Sequence, residues 1–357
     1  MQQKFQKKEN YSLKNEIDIL DELKKYNNPY IVKFVEHGVG DIIRNDREDR
    51  KREYAILEHA SKGCLFDYIF CRDSGLGELK SKIFFSKILE GFKCCHEHNI
   101  CHRDIKLENI LLDNAFTPKI NDFGFACKVE NNNKLTDYLG TEIYRPPEIG
   151  GKNGYDGFKA DIFYLASSLI ILTTGLAAFK SPKKNDRAFN KIRRGKYDDF
   201  WKIFEQKLPE GETLSEDFKN LFNKMISCKP DERPSIDDIL ADPWFKEVKD
   251  MKKNEPNKLK ELEDEITAIF SSLTDKVEKC SQLELEDENK KSETASYNTR
   301  GIQYDNKEKF FCNNILNNFI SISPFPFFIN INLLYIVFYF LYDTITTQLP
   351  LLCRMWS

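Results

Sequence analysis

Between His102 and Asn109 the chain reads HRDIKLEN, and thirteen residues past Asn109 comes Asp122, at the head of Asp122-Phe123-Gly124. These residue types at this spacing suit one kind of chemistry. Moving a phosphoryl group onto a hydroxyl needs three things: a carboxylate to accept or orient the hydroxyl proton, a cation beside the transferred phosphate, and a fixed metal. Asp104 is the candidate carboxylate, and Lys106, two residues on, is the candidate cation. Asn109 offers a neutral carbonyl oxygen and Asp122 a carboxylate, both hard ligands suited to Mg²⁺. Arg103 could pair with a phosphate or with an acid on a neighbouring segment. A solvated polar loop could hold any one of these residues, but the coincident spacing argues against that reading for the set.

More of the pattern follows. GTEIYRPPE runs from Gly140 to Glu148, Asp161 heads a helix, and Arg233 lies in DERPS. Each motif is weak alone, but their order and spacing together are specific. The chain resembles the eukaryotic protein kinase family over roughly residues 11 to 245, with Lys106 in the serine/threonine pattern. The resemblance implies an α+β, protein-kinase-like two-lobe fold with a truncated N-lobe and a mainly helical C-lobe. It implies ATP and Mg²⁺ as cofactors, and proteins bearing Ser or Thr as substrates. Thr141 is implied to hydrogen-bond Asp104 and Lys106, and Glu148 to pair with Arg233. Glu16 matches the helix glutamate that orients a strand lysine. Leu20, Phe34, His102 and Phe123 match a stacked apolar spine anchored by Asp161.

On the nucleotide side, the resemblance places Leu57 at the back of the ATP pocket and backbone groups of Glu58 and Ala60 on adenine. Leu111 falls beneath the ring, and Glu108 joins the same nucleotide-binding set. Asp137, flanked by Thr136 and Tyr138, falls where many relatives carry an activating phosphothreonine. It could supply a built-in negative charge opposite Arg103, or be a plain exposed loop acid. Three residues depart from the family pattern. Cys64 replaces a ribose-binding Glu, which puts nucleotide contacts and any preference for basic substrates in question. Pro146 replaces the more usual Ala, and Ala166 a Gly.

Certain elements must position these residues. SLKNEIDILDELKK, Ser12 to Lys25, spaces Leu13, Ile17, Leu20 and Leu23 as one helix face, and Asn27, Asn28 and Pro29 stop it. Strand-like runs follow at Ile31–Glu36 and Glu53–Leu57, joined by the highly charged stretch Asp41 to Arg52. A long helix is expected from Lys80 to His98, short strands at Ile110–Leu112 and Lys119–Ile120, and mostly helix from Ala160 to Trp244 and Phe245. Together these give a kinase-type domain over 1–245. Residues 246–300 are rich in Lys and Glu, with an apolar stripe of Leu259, Leu262, Ile266, Ile269, Leu273 and Val277. That stripe fits a helix docked on the main domain, or else a short dimerising coiled coil.

The stretch 301–357 changes character again. No charged residue occurs from Phe310 to Tyr342, so 319–342 is a candidate transmembrane segment, shorter in its apolar core than an ordinary span and broken by Asn330 and Asn332. Lys307 and Lys309 before it favour a cytosolic main domain if it does span. Translated noncoding DNA from an AT-rich genome would read much the same.

Composition narrows the classes further. Hydrophobic residues make up 41% and charged residues 31%, which suits a packed globule. With 54 Lys plus Arg against 57 Asp plus Glu, the net charge of −3 gives no electrostatic case for nucleic-acid binding. Ten scattered cysteines without a CxxC pair suit reduced thiols and a cytoplasmic protein, with the tail as a candidate C-terminal membrane anchor. CCHEHNICH looks metal-rich, but its spacings match no paired zinc frame.

One part of the pattern is not found upstream. A kinase carries a glycine-rich loop and a strand lysine before the helix glutamate. Lys4, Lys7 and Lys8 lie too close to Glu16, and the first glycine is Gly38. Three readings follow: a serine/threonine kinase whose recorded start is internal, a truncated kinase-like scaffold or binding protein without efficient catalysis, or a defective gene product.

Overall fold

The computed structural model describes residues 13–40, 43–44, 47–48, 52–130 and 133–294. Lys4, Lys7 and Lys8, most of the charged link 41–52, and the whole apolar tail with its candidate span 319–342 lie outside the described residues. Within the first compact unit, Met1–Asp287, the elements run in the order that the sequence suggests.

Helix α1 spans Leu13–Lys24 and buries Ile17, Ile19, Leu20 and Leu23. Its end is marked by Asn27 at φ 46°, a left-handed turn that Asn tolerates better than most residues. Strands β1 (Phe34–Gly40) and β4 (Arg52–Leu57) pair antiparallel, with Phe34 opposite Leu57, and the short strands β2 (Ile43–Arg44) and β3 (Arg47–Glu48) pair between them. Val35, Val39 and Ile56 of the β1–β4 hairpin are exposed.

The remainder is dominated by helices, beginning with α2 (Leu65–Arg72) and the twenty-residue α3 (Glu78–Glu97). Four short strands follow: β5 (Ile100–Cys101), β6 (Ile110–Leu112), β7 (Pro118–Ile120) and β8 (Cys127–Lys128). They form two antiparallel pairs, β5 with β8 and β6 with β7. After them come α4 (Gly157–Thr174), α5 (Arg187–Arg193), α6 (Tyr197–Glu205), α7 (Glu216–Met225), α8 (Ile236–Ala241), α9 (Lys246–Asn254) and α10 (Pro256–Thr294).

Helix α4 is the centre of the core. It is apolar all round, and Ile162, Phe163, Leu165, Leu169 and Leu172 are almost fully buried, as a helix packed on every side must be. Among the described residues it is the one helix long and apolar enough to cross a membrane, but 89% of its window is buried inside the protein, which identifies a core helix. Its start is set by Asp156, whose carboxylate accepts the N–H groups of Phe158 and Lys159. Its end is set by Gly175 at φ 74°, where an added Cβ would lie within 3 Å of the backbone of Ser74 and Gly75.

The stripe on α10 faces the chain's own helices. Ile266, Phe270 and Val277 are buried. The ring of Phe270 meets Tyr68 of α2 at 5.3 Å, Phe84 of α3 at 5.4 Å and Phe116 at 5.9 Å. Lys80 and Lys87 of α3 flank that seam with ion pairs to Glu265 (2.9 Å) and Glu263 (2.8 Å). The centre of the apolar face is thus covered within the chain, while Leu259, Leu262, Ile269 and Leu273 are half-buried. The stripe read from the sequence omits Phe270, the most deeply buried residue of the seam.

Candidate active site

The loop 102–109, the candidate catalytic loop, is held from behind by a buried carboxylate. Asp161, in the first turns of α4, accepts the backbone N–H groups of His102 and Arg103, each at 2.8 Å, and its Oδ2 lies 3.0 Å from His96 Nε2. That anchor lets Arg103 hold φ 68°, a left-handed conformation that is strained for a long side chain and persists because its surroundings over-determine it. The His102 ring lies 5.1 Å from Phe123 and 5.7 Å from Phe92, and its Nε2 lies 3.0 Å from the carbonyl oxygen of Asn121. Leu20 and Phe34 are buried.

At the front of the loop, four polar side chains converge. Asp104 Oδ1 accepts the backbone N–H of Thr141 at 2.7 Å, and Lys106 Nζ donates to Thr141 Oγ1 at 2.9 Å. Lys106 Nζ lies 3.4 Å from Asp104 Oδ2, and Asn109 Nδ2 donates to the Asp104 carbonyl at 2.9 Å. All four residues are buried. Thr141 arrives there through Gly140, whose φ is 85°; an added Cβ would lie 1.8 Å from the Tyr164 hydroxyl, so only glycine fits.

The backbone N–H of Asn121 donates to the Asn109 carbonyl at 2.9 Å, which brings Asp122 beside Asn109. Asn109 uses its side-chain nitrogen internally, which leaves its side-chain oxygen to serve as a ligand. The exposed Asp122 adds carboxylate oxygens, so the pair has the hard-ligand chemistry that Mg²⁺ takes. Asp122 itself sits at φ 62°. Glu16 of α1 points at the same place. Burial first, and then the charge of Asp122, lift its carboxyl above the ordinary range, while the N–H of Phe123 opposes that shift. Two carboxylates thus face one another, an arrangement that a cation would relieve.

The remaining sequence-derived residues lie around this centre. Leu57 ends β4, and Leu111 lies on β6, half-buried, opposite Cys64 in an isolated bridge. The N–H of Glu58 donates to the Lys33 carbonyl at 2.8 Å, while its side chain accepts the N–H of Lys33 (2.8 Å) and pairs with Lys119 (3.0 Å). Ala60 accepts the N–H of Gly63 at 3.4 Å. Glu108 turns toward residues 122–148, which match the activation segment of the resemblance: its Oε2 accepts the Tyr144 hydroxyl at 3.2 Å, and burial pushes its carboxyl up to about 7, against the pull of Lys106.

Arg103 reaches the same segment, donating to the Phe125 carbonyl at 2.6 Å and to Asp137 at 2.9 Å. Glu148, at the far end, forms a two-pronged pair with Arg233 at 2.6 and 2.9 Å. In the CCHEHNICH stretch, His96 is spent on Asp161, and His98 Nδ1 lies 2.7 Å from the Cys94 carbonyl. Among the described residues no group of three or more His, Cys, Asp and Glu could hold a metal.

Two contributors escape a sequence reading. His96 touches the anchor Asp161 from 65 residues away, and Tyr144 touches Glu108 from 36. Neither contact leaves a periodicity or motif that could have revealed it.

Comparison with known proteins adds a family. A protein kinase domain model matches residues 1–245. Among curated proteins, the chain is 34% identical over 245 residues to the probable serine/threonine-protein kinase MARK-B of Dictyostelium discoideum, covering 68% of this chain and 32% of that one. It is 32% identical over 211 residues to the serine/threonine-protein kinase SRK2B of Arabidopsis thaliana, covering 58% of this chain and 54% of that one. It is 33% identical over 195 residues to the serine/threonine-protein kinase SAPK6 of Oryza sativa subsp. japonica, covering 53% and 51%. The matched stretch therefore spans about a third to a half of these relatives' length.

Proposed function

This chain belongs to the protein kinase family, and from that premise we propose that it transfers the γ-phosphoryl group of ATP to Ser or Thr hydroxyls of proteins. The observation that carries the proposal is the buried junction of Asp104, Lys106, Asn109 and Thr141. Asp104, with one carboxylate oxygen tied to the Thr141 N–H, orients an incoming hydroxyl and accepts its proton. Lys106, fixed by Thr141 Oγ1, stands where it can neutralise charge on the transferred group. Asn109 and Asp122 would hold Mg²⁺, which when bound offsets the phosphate charge. Glu16 faces Asp122 and, in this reading, orients a lysine on the nucleotide phosphates. Leu57, Leu111 and backbone groups at Glu58 and Ala60 form the adenine side.

Because the junction is preorganised by hydrogen bonds that already exist, a change of one oxygen to nitrogen at Asp104 should cost rate more than stability. The test is incorporation of labelled phosphate from Mg²⁺-ATP into a degenerate Ser/Thr peptide library, comparing wild type with Asp104→Asn. The expected result is Mg²⁺-dependent labelling that falls by about 10²–10⁴-fold in the variant. Equal labelling by the two proteins, at the no-enzyme level, would sink the proposal and leave a kinase-like binding protein.

A further inference from the structure

Strand β5 ends at Cys101, immediately before the catalytic loop, and β8 begins at Cys127, three residues after Asp122-Phe123-Gly124. The two cysteines are direct partners in the antiparallel register. Their sulfur atoms lie 3.4 Å apart, and the Cys101 thiol also lies 3.6 Å from the Cys127 carbonyl. We propose that Cys101 and Cys127 form a dithiol site that a hydroperoxide oxidises to a disulfide, stapling the catalytic loop to the activation segment.

The geometry is close to what the bond requires. Paired residues of an antiparallel ladder have Cα atoms about 4.5–5.5 Å apart, inside the range that disulfides span. Closing from 3.4 Å to a bond of about 2.0 Å asks each sulfur to move by less than about 1 Å, which is a small χ1 rotation.

The two thiols also have complementary roles. Cys127 is half-buried and reachable, whereas Cys101 is fully buried. The hydrogen bond from Cys101 holds the Cys127 thiol below its ordinary range, and the guanidinium of Arg103 adds to this, while burial opposes it. The same contact, together with burial, holds Cys101 well above. A partly exposed thiol with a lowered pKa beside an arginine is the kind that reacts.

The step balances. The Cys127 thiolate attacks one oxygen of ROOH, the O–O bond breaks, and the alkoxide leaves and takes up a proton as ROH. Cys127 is then a sulfenic acid. The sulfur of Cys101 attacks that of Cys127, the S–O bond breaks, and the departing hydroxide takes the Cys101 proton as water. Two thiols lose two electrons and two protons in all, and the hydroperoxide is reduced to alcohol and water.

A second close pair provides a built-in comparison. Cys71 and Cys280 have sulfurs 3.7 Å apart, but burial, and then Cys280, push the Cys71 thiol up to about 12, which leaves it protonated.

The experiment treats the full chain with hydrogen peroxide, blocks free thiols with iodoacetamide under denaturant, and maps unreduced peptides by mass. The expected result is a peptide joining Cys101 to Cys127, reversed by dithiothreitol and formed at least about tenfold faster than any Cys71–Cys280 link. In Cys127→Ser, Cys101 should stay alkylatable after peroxide. Two free thiols after treatment, a Cys127 sulfinic acid with Cys101 still free, or equally fast joining at Cys71–Cys280 would overturn the proposal. The mass readout does not depend on phosphoryl transfer.

Discussion

Two buried arginines hold the segment 122–148 at two points, Asp137 near its middle and Glu148 at its end, and they do so differently. Arg233 is entirely enclosed (0% side-chain exposure) and grips a Glu148 that is 16% exposed. Two further N–H groups go to the carbonyls of Ser227 (2.7 Å) and Lys159 (2.8 Å), and its guanidinium carbon lies 5.0 Å from the centre of the Phe163 ring. Arg103 is nearly as buried (4%), but its acid, Asp137, is 40% exposed and takes a single hydrogen bond. A two-pronged, buried pair backed by two further hydrogen bonds acts as a fixed clamp. A one-pronged pair with one partner in water is weak and exchangeable. The segment is thus fastened at Glu148 and only latched at Asp137.

The largest expected effect tests the clamp. Arg233→Ala strands Glu148 in a partly dry site and should cost about 3–5 kcal/mol. Urea unfolding would show this as a lower midpoint with unchanged m. Arg233→Lys should recover little, because an ammonium cannot reproduce the fork. A loss under about 1 kcal/mol would end the distinction between clamp and latch.

Glu108 sharpens the comparison from between the two holding points, because its hydrogen-bond partner is the Tyr144 hydroxyl rather than an arginine. Its folded pKa of about 7 stands above the ordinary 4.5, so the native state binds the extra proton. The stability it contributes is therefore complete below about pH 4.5 and is lost as pH rises through about 7. Relative to wild type, Glu108→Gln should flatten stability against pH by on the order of 2–3 kcal/mol across that window. Parallel curves for the two proteins would mean that the carboxyl is not held protonated.

The smallest effect belongs to the latch. Asp137→Ala should change global stability by only about 0–1 kcal/mol. Amide exchange across residues 133–145 should nevertheless quicken, because the half-exposed ion pair restrains a local opening and not the fold. Unchanged exchange would show that Arg103 holds the segment through the Phe125 carbonyl alone.

Much of the candidate site is legible in the sequence. HRDIKLEN, the aspartate of Asp122-Phe123-Gly124 and the threonine at 141 are recognisable because the proposed phosphoryl transfer demands fixed residue types at short spacings. Helices α1 and α3 emerge within two residues of their expected bounds, since 3.6-residue periodicity and the stop at Asn27 to Pro29 are local signals. Helix α10 shows the limit of such signals. Its stripe announced a buried face but could not say against what, because a docked helix and a coiled coil share one pattern.

What the sequence determined by itself was therefore the set of reactive groups and the elements that carry them, both written in neighbouring residues. Which of those groups meet was decided by the tertiary structure alone. His96 on Asp161, Cys101 opposite Cys127 and Cys71 beside Cys280 join positions 65, 26 and 209 residues apart. Such meetings depend on strand register and helix packing, which balance burial over the whole core against chain entropy and leave no mark in any short stretch of sequence.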